Sequence, residues 1–136
     1  MTEQPANSTE PSLRLLKWVV IAFAVFTLLL TIVFFSWWTM KERFIFGDSA
    51  FEPVQWMAAA EKHDSCERGD MVLDVQHRML RRGMDKSQVT VMLGRPTWEE
   101  HNQFEYELGK CLWVIHGLRL YFDEGGRLVH TAIIQH

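Results

Sequence analysis

The sequence predicts an α+β protein: an N-terminal single transmembrane helix, then a small two-layer sandwich of two short helices on a three-stranded antiparallel sheet. Three observations predict it. Residues 18–40 run for 23 positions without a charge, and about 20 apolar residues suffice to cross a bilayer. Over residues 71–93 the apolar side chains recur at helical spacing, and after Pro96 they alternate, as in half-buried strands. Helices followed by strands in one short chain define a two-layer α+β domain.

Residues 1–12 are polar, contain Pro5 and Pro11 and show no apolar period, so they are expected to be a disordered tail. Residues 13–43 form the anchor. Trp18 at one end and Trp37-Trp38 at the other resemble an aromatic belt, with Arg14, Lys17, Lys41 and Arg43 just outside it. The apolar run exceeds the ~7–15 residues of a signal-peptide core, and no clean small-x-small cleavage site follows. An uncleaved single span is therefore expected. Two basic residues flank each end and leave the positive-inside count tied. The short polar tail favours the N-terminus inside and the C-terminal domain outside.

Residues 44–69 are expected to be a linker with a short helix opened by Pro53 and running to Lys62. Its aromatics, Phe44, Phe46, Phe51 and Trp56, either dock on the following domain or lie at the membrane surface. Residues 70–136 then form the domain. Asp70 is expected to cap a helix over 71–82 whose inward side carries Val72, Val75 and Met79, with Gly83 as its stop. The next helix is written at both ends. Asp85 and Gln88 make a capping box, Val89, Met92 and Leu93 an apolar stripe, and Gly94 and Pro96 an exit. Three strands are expected: one around Phe104, Tyr106 and Leu108, broken by Gly109; one around Leu118, Leu120 and Phe122; and one over 128–135. Residues 111–115 read as strand or packed loop, and Asp123-Glu124-Gly125-Gly126 as a hairpin turn.

Arg82-Gly83-Met84, Gln88-Val89, Leu93-Gly94-Arg95-Pro96, Tyr106, Leu120-Tyr121-Phe122-Asp123 and Gly126-Arg127-Leu128 together resemble the SmpA/OmlA family, the BamE-like domain of the bacterial cell envelope. The resemblance covers roughly residues 71–136. It implies two helices packed on a three-stranded sheet, no catalytic activity, and work as an accessory to an envelope protein assembly. Familiar members are held in the outer membrane by a lipidated cysteine. Here an apolar helix does the tethering, which implies the inner membrane, with the domain in the periplasm.

Charge and motifs narrow the function further. From Met71 onward there are eight basic and eight acidic residues, so no basic stripe tracks a phosphate backbone and nucleic acid is not an expected partner. No serine elbow, phosphate-binding glycine loop or paired carboxylates with an obvious cleft are present, and Glu99-Glu100 and Glu105/Glu107 read as solvated charges. No enzyme, cofactor or small-molecule ligand is expected. The expected partners are the membrane and another envelope protein. If Leu118, Leu120 and Phe122 face the helices, strict alternation turns Tyr121, Val129, Thr131 and Ile133 outward. That apolar face is either a protein-binding surface or is covered by Phe51 and Trp56. Cys66 and Cys111 are either a disulfide, if the domain lies outside the cytosol, or two unrelated thiols. A second functional reading assembles a metal or thiol site from His63, Cys66, Cys111 and His116. A third is an inhibitor-like module. His130 reads as a partly buried histidine with a satisfied nitrogen.

Overall fold

The uncharged run lies within one continuous helix. In the computed structural model, which describes residues 10–136, α1 spans Glu10–Ile45, 36 residues or about 54 Å at 1.5 Å per residue. It is long and apolar enough to cross a membrane, a description that a signal sequence near the N-terminus also meets. The hydroxyls of Thr27, Thr31 and Thr39 donate to the carbonyls of Phe23, Thr27 and Phe35 at 2.8–3.1 Å, which satisfies them inside the helix. Of the expected tail, residues 10–12 open α1 and the rest lie outside the described residues.

Glu42–His136 forms one compact unit. The segment expected to be a linker is therefore part of the domain. Pro53 opens α2 (Pro53–Ala58), which tightens into a 3₁₀ turn over Ala59–Glu61. Trp56 and Phe46 are buried, and Phe51 packs against the same core. The helix expected over 71–82 is displaced toward the N-terminus. It begins as α3 (Glu67–Asp74), widens into a π turn over Val75–Met79 and ends at Leu80, whose backbone is extended. Cys66, not Asp70, sits at its N-cap. The residues ahead of Asp70 are polar and carry no apolar period, yet Arg68 and Gly69 are buried. Helix α4 (Lys86–Leu93) matches its expected ends. The Asp85 N–H donates to Gln88 Oε1 at 2.9 Å in a complete capping box, and Gly94 leaves the helix at φ +81°.

The sheet has four antiparallel strands in the order β1-β2-β3-β4, not three. They are β1 (Trp98–Glu100), β2 (Gln103–Cys111), β3 (Val114–Phe122) and β4 (Leu128–Gln135). Strand β1 is three exposed residues long and has no alternation to reveal it. Gly109 does not break β2. It lies at a register shift with φ +84°, and a side chain there would run into the Ser65 carbonyl. Helices α2–α4 pack on one face of the sheet. Phe104, Tyr106, Leu108, Leu118, Leu120 and Phe122 meet Val72, Val75, Val89 and Leu93 there in one continuous core.

A second register shift reassigns the faces of β4. Tyr121 pairs with His130 but Phe122 pairs with Leu128, leaving Val129 as the extra residue of a bulge. One inserted residue moves every later side chain to the opposite face. Thr131 and Ile133 consequently sit opposite Leu120 and Leu118 on the helix side, and Ile133 packs against the core. The outward assignment of Thr131 and Ile133 is thus corrected. Phe51 and Trp56 do not cover the outer face either, since they join the core on the helix side.

Burial raises the pKa of the Tyr106 phenol well above its ordinary value, with the nearby Arg68 charge opposing the rise. A folded-state pKa above the unfolded value gives stability that is present below about pH 10 and lost as pH climbs beyond it. Tyr106→Phe should therefore flatten the alkaline loss of stability in urea titrations above pH 10. At neutral pH it should cost about 1 kcal/mol for the bond from the Tyr106 hydroxyl to the Gly94 carbonyl, 2.9 Å.

Candidate functional site

The residues that carry the family resemblance converge on one junction. The Gly83 N–H donates to the Leu128 carbonyl at 2.7 Å, and the Leu128 N–H donates to the Met84 carbonyl at 2.8 Å. Arg127 reaches back to the Gly83 carbonyl at 3.1 Å and the Asp85 carboxylate at 3.3 Å. Asp123 Oδ1 accepts the Arg127 N–H at 2.9 Å and so closes the turn before β4. These residues fasten the α3–α4 connection to the β3–β4 hairpin. Val89, Leu93, Tyr106, Phe122 and Leu128 fill the core beneath. The motif is scaffold, and none of its members converges on a reactive centre.

Cys66 and Cys111 are joined in a disulfide that closes a loop with a sequence separation of 45. It ties the start of α3 to the end of β2. In the chain-entropy account a loop of that length contributes about 4 kcal/mol. Gly69, one helical turn after Cys66, leaves room for it, because a Cβ at that position would strike both sulfur atoms. The disulfide removes both thiols from the metal set His63, Cys66, Cys111 and His116. The remaining two members are separately engaged. His63 Nδ1 lies 2.7 Å from Glu107 Oε1, while His116 Nδ1 lies 2.9 Å from the Val114 carbonyl and its ring packs edge-on against Phe46. Among the described residues no three His, Cys, Asp or Glu side chains are grouped to hold a metal ion.

Two surfaces remain as candidates, and both involve β4. The outer sheet face is charged and aromatic, not apolar. Glu105, read from sequence as a solvated charge, is only 7% exposed. Its Oε2 accepts from Arg119 Nη2 at 2.7 Å and Nε at 3.1 Å, and its Oε1 contacts His136. The hydrogen bond that Arg119 donates to Glu105 raises the Arg119 pKa further. Trp98 lies beside the Arg119 guanidinium, 5.4 Å from ring centre to charge. Tyr121 stacks on His130 at 5.8 Å, and that histidine is exposed instead of partly buried.

The second surface is a cleft of about 320 Å³ between the π turn and β4, lined by Gln76, Leu80, Arg82, Val129, His130 and Thr131 among others. Gln76 Nε2 donates to Thr131 Oγ1 at 3.1 Å across it. The four residues expected on one outer face are therefore distributed around β4. Tyr121 faces outward, Val129 lies at the bulge, Thr131 lines the cleft, and Ile133 packs into the core. Glu105 and Arg119 pair across β2 and β3, and their alternation with the core residues of those strands is a usable signal for their pairing. No local signal marked the buried Arg68. Burial lowers its pKa from the ordinary value, with Tyr106 and Glu107 opposing. It donates to the carbonyls of Trp56 and Glu107 at 2.9 and 3.2 Å.

No protein-family model, curated protein or solved structure matches the chain. The SmpA/OmlA resemblance therefore rests on the motif residues themselves. Replacing Gly69 by Ala should prevent the disulfide without touching either cysteine. Thiol titration of the unfolded chain should then count two free thiols instead of none, and the folded domain should lose about 4 kcal/mol. An intact disulfide in Gly69→Ala would show that α3 can shift to make room.

Proposed function

We propose that this chain is a membrane-anchored, non-enzymatic protein-binding module of the bacterial cell envelope, similar to the SmpA/OmlA domain. Helix α1 is a single uncleaved span of the inner membrane with the N-terminus in the cytoplasm, and Glu42–His136 lies in the periplasm. The observation that carries this reading is the Cys66–Cys111 disulfide in the domain directly beyond an apolar helix long enough to span. Structural disulfides persist in oxidising compartments and are rare in the cytosol.

A binding role, as opposed to catalysis, is supported by how the buried polar groups are used. Arg68, Glu105 and His116 are the buried polar side chains among the described residues, and each is engaged in contacts that hold the fold. The partner surface in this reading is centred on β4, where half-buried Tyr121 stacks on exposed His130 beside the cleft at Val129 and Thr131. Tyrosine and arginine are common anchors of protein interfaces, and Tyr121 and Arg82 provide both types here. Strand β4 is an edge strand, so an extended segment of a partner can align along it.

In living bacteria, a reporter active only outside the cytoplasm should work when fused after His136, and its cytoplasm-only counterpart should be silent. The opposite pattern would overturn the periplasmic placement. A photo-crosslinking residue at position 130 should then give a discrete adduct that the same residue at Val91, on the exposed side of α4, does not give. Equal labelling from both positions, or none from 130, would remove β4 as the partner surface.

A further inference from the structure

The β2–β3 hairpin ends in a turn that contradicts ordinary turn chemistry. Cys111 pairs with Val114, leaving Leu112 and Trp113 as the two loop residues. Leu112 has φ +60°, in the left-handed region where two-residue hairpins place glycine or asparagine. Both residues are large and apolar, and Trp113 is 87% exposed. Val114 and Ile115 continue the exposed apolar surface along β3. In water such a tip has neither the conformational ease of glycine nor the solvation of a polar turn. Strain and exposure concentrated at one apolar loop point to an interaction site.

Its position in the domain indicates the occupant. Phe46 is buried against the His116 ring at 5.1 Å, and its ring lies beside the space at Gly69 where both disulfide sulfurs meet. One of those sulfurs belongs to Cys111, the residue immediately before the turn. The tip is thus next to the point where the chain enters the domain. Phe46 lies only five positions after Lys41, about 8 Å along a helix. Whatever direction the anchor takes, this tether keeps the end of the domain bearing Phe46, Cys111 and Leu112 close to the bilayer surface. Tryptophan is enriched at that surface, where an apolar ring can sit among headgroups with its N–H still wet. Lys110, exposed at the base of the same turn, can extend its ammonium toward lipid phosphates.

We infer that the Leu112–Trp113 tip is a second membrane contact, inserted into the interfacial layer of the bilayer that α1 spans. The inference rests on the reading of α1 as a span. With two points of attachment the domain would sit in a fixed pose on the membrane, with its β2–β3 turn buried among headgroups.

The test uses the full chain, labelled with 5-fluorotryptophan, in phosphatidylcholine nanodiscs. The six tryptophan resonances are assigned by single Trp→Phe variants and exposed to doxyl-labelled lipid or to a gadolinium chelate in the buffer. Trp113 should broaden severalfold more with doxyl lipid than Trp98 does, and should be spared by the chelate that broadens Trp98. Buried Trp56 should be shielded from both. If Trp18, Trp37 and Trp38 respond to doxyl lipid while Trp113 responds only to the chelate, the tip contact is overturned and the anchor stands. If those three also ignore doxyl lipid, the spanning reading fails and the tip contact fails with it. A Trp113 shielded from both reagents would identify a protein contact and likewise overturn the inference.

Discussion

The burial of the Trp56 indole is the constraint on which the helical layer depends. An indole N–H removed from water needs an acceptor, and the last carbonyls of a helix need donors. Trp56 Nε1 donates to the Leu93 carbonyl at 2.9 Å, at the end of α4. The Tyr106 hydroxyl donates to the Gly94 carbonyl one residue on. Two buried donors and two helix-terminal acceptors thus satisfy one another, and the exchange fixes where α2, α4 and β2 meet. Arg68 completes the arrangement by stacking on the same indole at 4.8 Å. Its guanidinium bonds the Trp56 and Glu107 carbonyls, which spans α2, α3 and β2. A buried cation is costly unless hydrogen-bonded, so Arg68 holds the layer together only while Trp56 and β2 remain in place. Removing any one of these groups leaves another unpaired.

What could be read from the sequence follows from how local the signals were. Helix α4 was legible because its start, stripe and stop lie within a dozen residues, and the Asp123–Gly126 turn was legible for the same reason. The helical layer as a whole was less so. Residues 44–69 have too little apolar periodicity to suggest a core segment, and Trp56 is buried through partners 37 and 50 residues away. Arg68 was invisible because its acceptors, the Trp56 and Glu107 carbonyls, lie 12 and 39 residues away. Strand β1 was missed because three exposed residues have no pattern. The face of β4 was lost to a single bulge residue, since alternation counted through Val129 gives the wrong side for every residue after it. The disulfide was open to either reading, because pairing depends on the approach of β2 to α3 and not on spacing.

The same bulge changes what the candidate site can be. With strict alternation, β4 would present Val129, Thr131 and Ile133 as an apolar patch beside Tyr121. With the bulge, the outer face keeps Tyr121 and gains exposed His130, while Glu105 and Arg119 neutralise each other beneath Trp98. Apolar residues are instead drawn to the core and to the cleft by the π turn. A flat apolar face would favour broad hydrophobic docking. An edge strand with a bulge, a cleft on one side and an aromatic stack on the other is better matched to an extended segment held by backbone bonds and a few side-chain anchors.

The disulfide and the Leu112–Trp113 turn belong to one structural problem. A domain of this size buries a modest share of its surface, and staples are correspondingly valuable to it. The Cys66–Cys111 staple lies at the end of the domain where the chain enters, next to Phe46. There it holds the β2–β3 turn against α3. A turn with a leucine in the left-handed region and an exposed tryptophan would gain conformational freedom if its base were loose. Closing that base with a covalent bond one residue before the turn keeps Trp113 presented in one direction. The side chains that would contact the membrane are therefore positioned by the same bond that stabilises the fold, and loosening that bond should weaken both.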